Sequence, residues 1–151
     1  MISAREVKRL RQLTGAGMME AKIALSEVGG DFVKAEEILR KKGVLKADQK
    51  SDRATGQGGI DSYIHDGGKI GVLVEVNCET DFVARNEEFK KLVHDLILHI
   101  AASDPLDLPT LLKQPFVKNQ EITVQEFINQ KIAILGENIR VKRFIRYVLG
   151  R

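Results

Sequence analysis

Apolar positions recur at helical spacing three times within residues 1–43. Ser3-Ala4-Arg5-Glu6 forms a capping box ahead of Val7, Leu10 and Leu13, with Ser and Glu placed to satisfy each other's free amide donors. Thr14-Gly15-Ala16-Gly17 breaks that helix and opens a second, Met18 to Val28, whose apolar members include Met18, Ile23 and Leu25. Gly29-Gly30 breaks again. Asp31 is placed to cap a third helix through Lys42, with Phe32, Ala35, Ile38 and Leu39 on one face and Gly43 beyond its end. From Lys46 to Gly59 no apolar residue is larger than alanine, as expected of a linker, helical at first and flexible near its glycines.

The period then changes to two. Ile60 to His65 and Lys69 to Val76 alternate around Asp66-Gly67-Gly68, which predicts a hairpin with Ile70, Val72, Val74 and Val76 on one face. On the other face, Leu73 beside Gly71 and Glu75 calls for partial cover. Phe89, Leu92, Val93, Leu96, Ile97 and Ile100 restore the helical period, with Asn86 or Asp81 as the cap. Asp104-Pro105 to Gln114-Pro115 reads as a proline-marked connection. Thr123-Val124-Gln125-Glu126 is a second capping box, opening a helix through Leu135 that Gly136 ends. Ile139 to Leu149 predicts a last strand, basic on its polar side through Arg140, Lys142 and Arg146. The expected class is α+β, in three parts: a three-helix domain over 1–45, a linker over 46–59 and an α+β core over 60–151.

The 151 residues suffice for a core without a staple, and the single Cys78 excludes an internal disulfide or a cysteine-based zinc cluster. No apolar run approaches the roughly 18 residues of a spanning helix. The N-terminus has no apolar signal core, so a cytoplasmic location is expected. Net charge is +3, distributed as +4 over 1–53, −6 over 54–112 and +5 over 113–151. Two basic ends around an acidic middle make no continuous cationic stripe, and with no Trp and two Tyr stacking platforms are scarce, so nucleic-acid binding is not favoured.

Catalytic chemistry has little support. Cys78 at a strand end is expected to be a small buried hydrophobe. His94 and His99 are five apart, not the four of a helical metal pair, and both are assigned to the helix surface. His65-Asp66 has no nucleophile beside it, and the glycine-rich segments lack the Lys-Ser/Thr of a phosphate loop. No metal and no cofactor is expected, and the chain is not expected to be an enzyme.

Asn77-Cys78-Glu79-Thr80-Asp81-Phe82-Val83-Ala84-Arg85-Asn86 joins the second strand to the regular helix and sets an acid beside a phenylalanine. A ring on a short strand-to-helix turn either folds back as a staple on the helix or is held out as a wedge. Spacing alone favours the staple. The stretch Val74 to Asn86, together with Thr14-Gly15-Ala16-Gly17-Met18-Met19, Lys22 and Ala24-Leu25, and with Gly136-Glu137-Asn138-Ile139-Arg140, Arg143 and Phe144, resembles the bacterial and organellar elongation factor Ts family over essentially the whole chain. The resemblance is weakest over Ser103–Gln120.

That resemblance implies a guanine-nucleotide exchange factor for the GTPase elongation factor Tu. The N-terminal module would be ubiquitin-associated-like and dock on the GTPase through Arg11, Met18, Met19 and Lys22. The loop Thr80, Asp81, Phe82, Val83 would press its ring in near the magnesium site. For Met18 core packing is an equal reading; for Arg11 and Lys22 an ordinary solvated charge is the lesser alternative. Two departures stand out. The chain has no second core subdomain or helical hairpin, and a helical stretch after Ser103 is missing. Short members of the family homodimerise, which is expected here too, with Ile145 where some carry a bridging cysteine. The rival classes are an adaptor bundle fused to an unrelated α+β domain and a basic RNA-binding accessory protein.

Overall fold

The computed structural model describes residues 2–151; Met1, at the edge of the expected 1–45 domain, lies outside the described residues. Helices α1 (Ala4–Thr14), α2 (Met18–Glu27) and α3 (Phe32–Lys50) form the N-terminal bundle. Ser3 caps α1 in the expected box with Glu6, and Asp31 Oδ1 accepts from Lys34 N at the start of α3. Val7, Leu10, Ala21, Ala24, Leu25, Ala35 and Leu39 make a small core of their own.

The third helix does not stop at Lys42. It continues two further turns to Lys50, and the ordered chain enters the sheet at Gln57, so most of the expected linker is regular structure. The reason is tertiary. Leu39 belongs to the bundle core while Ala47, two turns on, is buried in the second core, and Lys46 Nζ bonds Glu20 Oε1 at 2.6 Å. Packing outweighs the weak helix-breaking preference of Gly43, roughly 1 kcal/mol.

The second core rests on a three-stranded antiparallel sheet of order β1 (Gln57–His65), β2 (Ile70–Cys78), β5 (Ile139–Val148). One face, with Val72, Val74, Val76 and Cys78, packs under α5 (Glu87–Ser103). Beside α5, which covers β1 and β2, α6 (Leu108–Lys113) and α7 (Val124–Leu135) pack on β5; α7 is opened by the Thr123–Glu126 capping box and ended by Gly136 at φ 74°. The mixed helix-and-sheet class is as expected. Two features are new. A β-bulge between Glu75 and Val76 shifts the β2–β5 register past Lys142. Because strand side chains alternate, that one residue flips the parity of the second half of β5. Arg146 therefore turns inward, opposite Val72, and gives its guanidinium to the Ala101 carbonyl at 3.0 Å and to Asp104 at 3.2 Å. It is not part of the solvated basic side with Arg140.

The proline-marked connection holds α6 and a short hairpin, β3 (Pro115–Phe116) with β4 (Asn119–Thr123). Phe116 stacks on Phe127 with ring centres 4.1 Å apart and on His99 at 5.9 Å. His99 is accordingly buried, contrary to the surface assignment, while His94 stays exposed.

The bundle is seated on α7. Gly15, at φ 72°, lies against Gln130, and the Gln130 side-chain amide donates to the Leu13 carbonyl. Arg40 of α3 reaches Glu126 at 3.8 Å.

Candidate functional site

The strand β2 ends at Cys78, and the next residues leave the sheet. Thr80 caps a single helical turn, α4 (Asp81–Ala84), accepting from Val83 N at 3.3 Å. In that turn Val83 points into the core and is buried, while Phe82 is 79 % exposed. The ring does not fold back as a staple. Asp81 is also exposed, and pairs with Arg85 one turn on at 3.0 Å. Of the four residues expected to form the loop, Thr80 and Val83 anchor it, and Asp81 and Phe82 stand out from it.

The anchoring involves residues that sequence reasoning did not single out individually. Glu137 Oε1 accepts from Glu79 N at 3.2 Å and Thr80 N at 3.0 Å, and Oε2 accepts from the Thr80 hydroxyl at 2.7 Å. Glu79 returns the contact, accepting from Asn138 N at 2.6 Å, and also faces Arg53 at 3.6 Å. The Asn138 side chain donates to the carbonyls of Ser51 and Arg53, and Arg140 also donates to Ser51. One junction thus ties the end of α3, the end of β2 and the start of β5 together. The only signal in the sequence was the motif Gly136–Arg140 itself, which gave no partner for Glu137.

Cys78 is buried beneath this junction, and its thiol donates to the Thr80 carbonyl at 3.3 Å. Burial first, and the Glu137 carboxylate second, push the thiol up to about 11, so it stays protonated and unreactive. Among the described residues no three His, Cys, Asp or Glu side chains are grouped to hold a metal ion, and no helix is long and apolar enough to cross a membrane.

The four N-terminal candidates lie on α1 and α2 and are all exposed. Arg11, Met18 and Lys22 line one open groove with Ile2, Ser3, Ala4, Val7 and Lys8. Met18 is 59 % exposed and is not core packing; Ile23, which the pattern also placed among apolar members, is half exposed. Met19, at 63 % exposed, stands outside the groove lining. The Arg11 guanidinium donates to the Ala16 carbonyl at 3.4 Å, which ties it to the break between the helices.

Fold and site define an α+β protein in which a small helical bundle rides on a three-stranded core, with one aromatic ring held out at a strand-to-helix turn. Comparison with known proteins is specific. A family model described as Elongation factor TS matches residues 79–150, just under half of the chain, the part that carries the turn and Glu137. Elongation factor Ts of Rippkaea orientalis is 46 % identical over 195 aligned positions, covering 99 % of this chain and 78 % of that protein. That of Solibacter usitatus is 44 % identical over 194 positions, covering 99 % and 92 %. That of Nostoc sp. is 53 % identical over 148 positions, covering 98 % of this chain but 47 % of the relative. The chain belongs to the elongation factor Ts family, whose members take part in translation elongation. The first two alignments are longer than the 151 residues here, so those relatives carry residues with no counterpart in this chain.

Proposed function

We propose that this chain is a guanine-nucleotide exchange factor that binds elongation factor Tu with GDP and speeds GDP release by inserting the Asp81-Phe82 turn near the magnesium and phosphate site. The observation that carries this is the exposed Phe82 ring on a turn whose base is fixed on both sides. An unsupported phenylalanine in water gains nothing from that posture, since burying a ring is favourable by about 1.5–3 kcal/mol. A GTPase holds its nucleotide through phosphate-loop amides and a bridging magnesium. An apolar wedge that shifts a neighbouring element weakens that cradle without touching the base. Exchange factor and nucleotide then lower each other's affinity by the same factor. The protein needs no catalytic group and no cofactor of its own for this, and makes no direct use of nucleic acid.

In the same reading, residues 1–45 are the ubiquitin-associated-like docking domain, with Arg11, Met18, Met19 and Lys22 facing the GTPase, and residues 60–151 are the wedge-bearing and dimerisation domain. The outer face of the sheet, with Ile60, Leu73 and Ile145 exposed, is where a second copy packs. The protein would act in the cytoplasm, beside its partner.

The test is stopped-flow release of a fluorescent GDP analogue from purified elongation factor Tu. Addition of this chain is expected to accelerate release, and Phe82→Ala to lower the acceleration strongly but measurably, with its melting temperature unchanged within about 2 °C, since an exposed side chain contributes little to the core. A large loss of thermal stability in that variant would count against a wedge.

A further inference from the structure

We infer that Glu137 is a positioning residue for the Phe82 turn: it holds the turn in the geometry that delivers the ring, without itself touching a partner. The inference rests on the exchange reading above. A single four-residue turn cannot hold itself, because nucleating a helix fixes several dihedrals for one hydrogen bond. Something outside the turn must set its direction. The backbone donors that precede it have no strand partner, because the ladder between β2 and β5 ends at the pair Cys78 and Ile139. Both donors, Glu79 N and Thr80 N, are taken by the same oxygen of Glu137.

The second oxygen does more. By accepting the Thr80 hydroxyl hydrogen at 2.7 Å it directs the lone pairs of that oxygen elsewhere, and one of them receives Val83 N at 3.3 Å. The chain of contacts therefore runs from Glu137 through the Thr80 hydroxyl to Val83, the buried neighbour of Phe82. A carboxylate acceptor makes these bonds stronger than an amide would. Glu137 is itself fixed: Gly136 ends α7 in the left-handed conformation, and the next residue, Asn138, bonds Glu79 and the two carbonyls at the end of α3. The turn is thus registered to the bundle as well as to the sheet.

A purely structural clasp predicts lost stability and nothing else; a positioning role predicts a change in the rate reached at saturation. Nucleotide release from elongation factor Tu is measured against increasing concentration of the wild-type chain, Glu137→Ala, Glu137→Gln and Thr80→Val, each with and without Phe82→Ala. Glu137→Ala is expected to lower the saturating rate about tenfold or more, as misplacement of a working group by about an ångström does, while the half-saturating concentration stays within about threefold. Glu137→Gln, which keeps one acceptor for the two amides, falls between it and wild type, and Thr80→Val follows Glu137→Ala. In the Phe82→Ala background Glu137→Ala has no further effect. Circular dichroism checks each fold, and where Glu137→Ala unfolds, Glu137→Gln and Thr80→Val carry the comparison. A wild-type saturating rate in the folded Glu137 variants, beside a slow Phe82→Ala, overturns this role and leaves the wedge standing. An equal loss with and without Phe82 overturns it too. No acceleration by the wild-type chain overturns the wedge and this role together.

Discussion

His99 accepts a hydrogen bond from the main-chain N–H of Val117 at 3.1 Å through Nδ1, which makes Nε2 the protonated nitrogen and Gln114 Oε1 its acceptor at 2.8 Å. The buried imidazole is therefore held neutral, and both of its nitrogens are used. Gln114 passes the connection on to the Ser103 carbonyl at 3.4 Å, so one histidine ties α5 to the segment that follows α6.

Burial lowers the His99 pKa below its ordinary 6.5, against an opposing effect of the Gln114 bond. The sign follows. Below about pH 6.5 the unfolded chain takes up the proton first, so stability falls with pH down to the lowered folded value, and is insensitive to this group above about 6.5. Urea unfolding between pH 7 and 5 is expected to show that decline. His99→Gln is expected to be less stable at pH 7 by about 1–3 kcal/mol, with a flatter pH dependence. An equally steep decline in the variant would assign the effect to another group.

Met18 and Met19 are adjacent, yet only Met18 shares the groove with Arg11 and Lys22. If the groove seats the partner, Met18→Ala and Lys22→Ala are expected to raise the half-saturating concentration for exchange by roughly five- to thirtyfold, about 1–2 kcal/mol, with the saturating rate within about twofold. Met19→Ala should raise it less than Met18→Ala. A larger effect at Met19 would place the contact on the neighbouring face of α2.

Gly15 sits at φ 72°, and a Cβ there would meet the Gln130 carbonyl oxygen at 3.0 Å. Gly15→Ala combines left-handed strain of about 1–2 kcal/mol with a push against α7. The expected fall in melting temperature is roughly 2–8 °C. Because the bond from Gln130 to Leu13 lies at the same seam, chemical-shift changes in the variant should concentrate on α1, α2 and α7 and spare β1. Changes spread evenly over the sheet would mean that the seam is not where the strain is taken up.

What the sequence revealed divides along the range of the interactions. The caps at Ser3, Asp31, Asn86 and Thr123 are local: each needs a side chain and an amide two or three residues on, and each was legible, Asn86 as one of two alternatives with Asp81. The exposure of Phe82 was not, because a staple and a wedge share one spacing; the family resemblance pointed to the wedge before the structure showed the ring held out. The continuation of α3 past Gly43 depends on Ala47 meeting a core built by residues far along the chain. The inward turn of Arg146 depends on a bulge in the pairing with another strand, for which alternation within β5 carries no sign. The burial of His99 depends on the β3–β4 hairpin, hidden in the segment with the weakest pattern. Glu137 was visible as part of a motif, but its three bonds to Glu79 and Thr80 join positions almost sixty apart.

The bulge has one more consequence. By reversing parity after Lys142 it places Arg143, Ile145 and Tyr147 on the outer face of the sheet, where Ile145 lies opposite Leu73 and Arg143 pairs with Glu75 at 2.9 Å. Ile60, Ile64, Leu73, Ile145 and Tyr147 are all exposed on β1, β2 and β5, an apolar surface across all three strands over which no element among the described residues packs. Apolar patches of this continuity on soluble proteins mark interfaces. A two-fold pair would bury the same face of each copy, so one substitution strikes the interface twice. Sedimentation equilibrium at micromolar concentration is expected to give a dimer for the wild-type chain and a monomer for Leu73→Lys with Ile145→Lys. Both lysines project to solvent in the monomer, so its circular dichroism should match wild type. A wild-type chain that stays monomeric at tens of micromolar would leave the face to a different partner; a dimer that survives both lysines would move the interface to another surface.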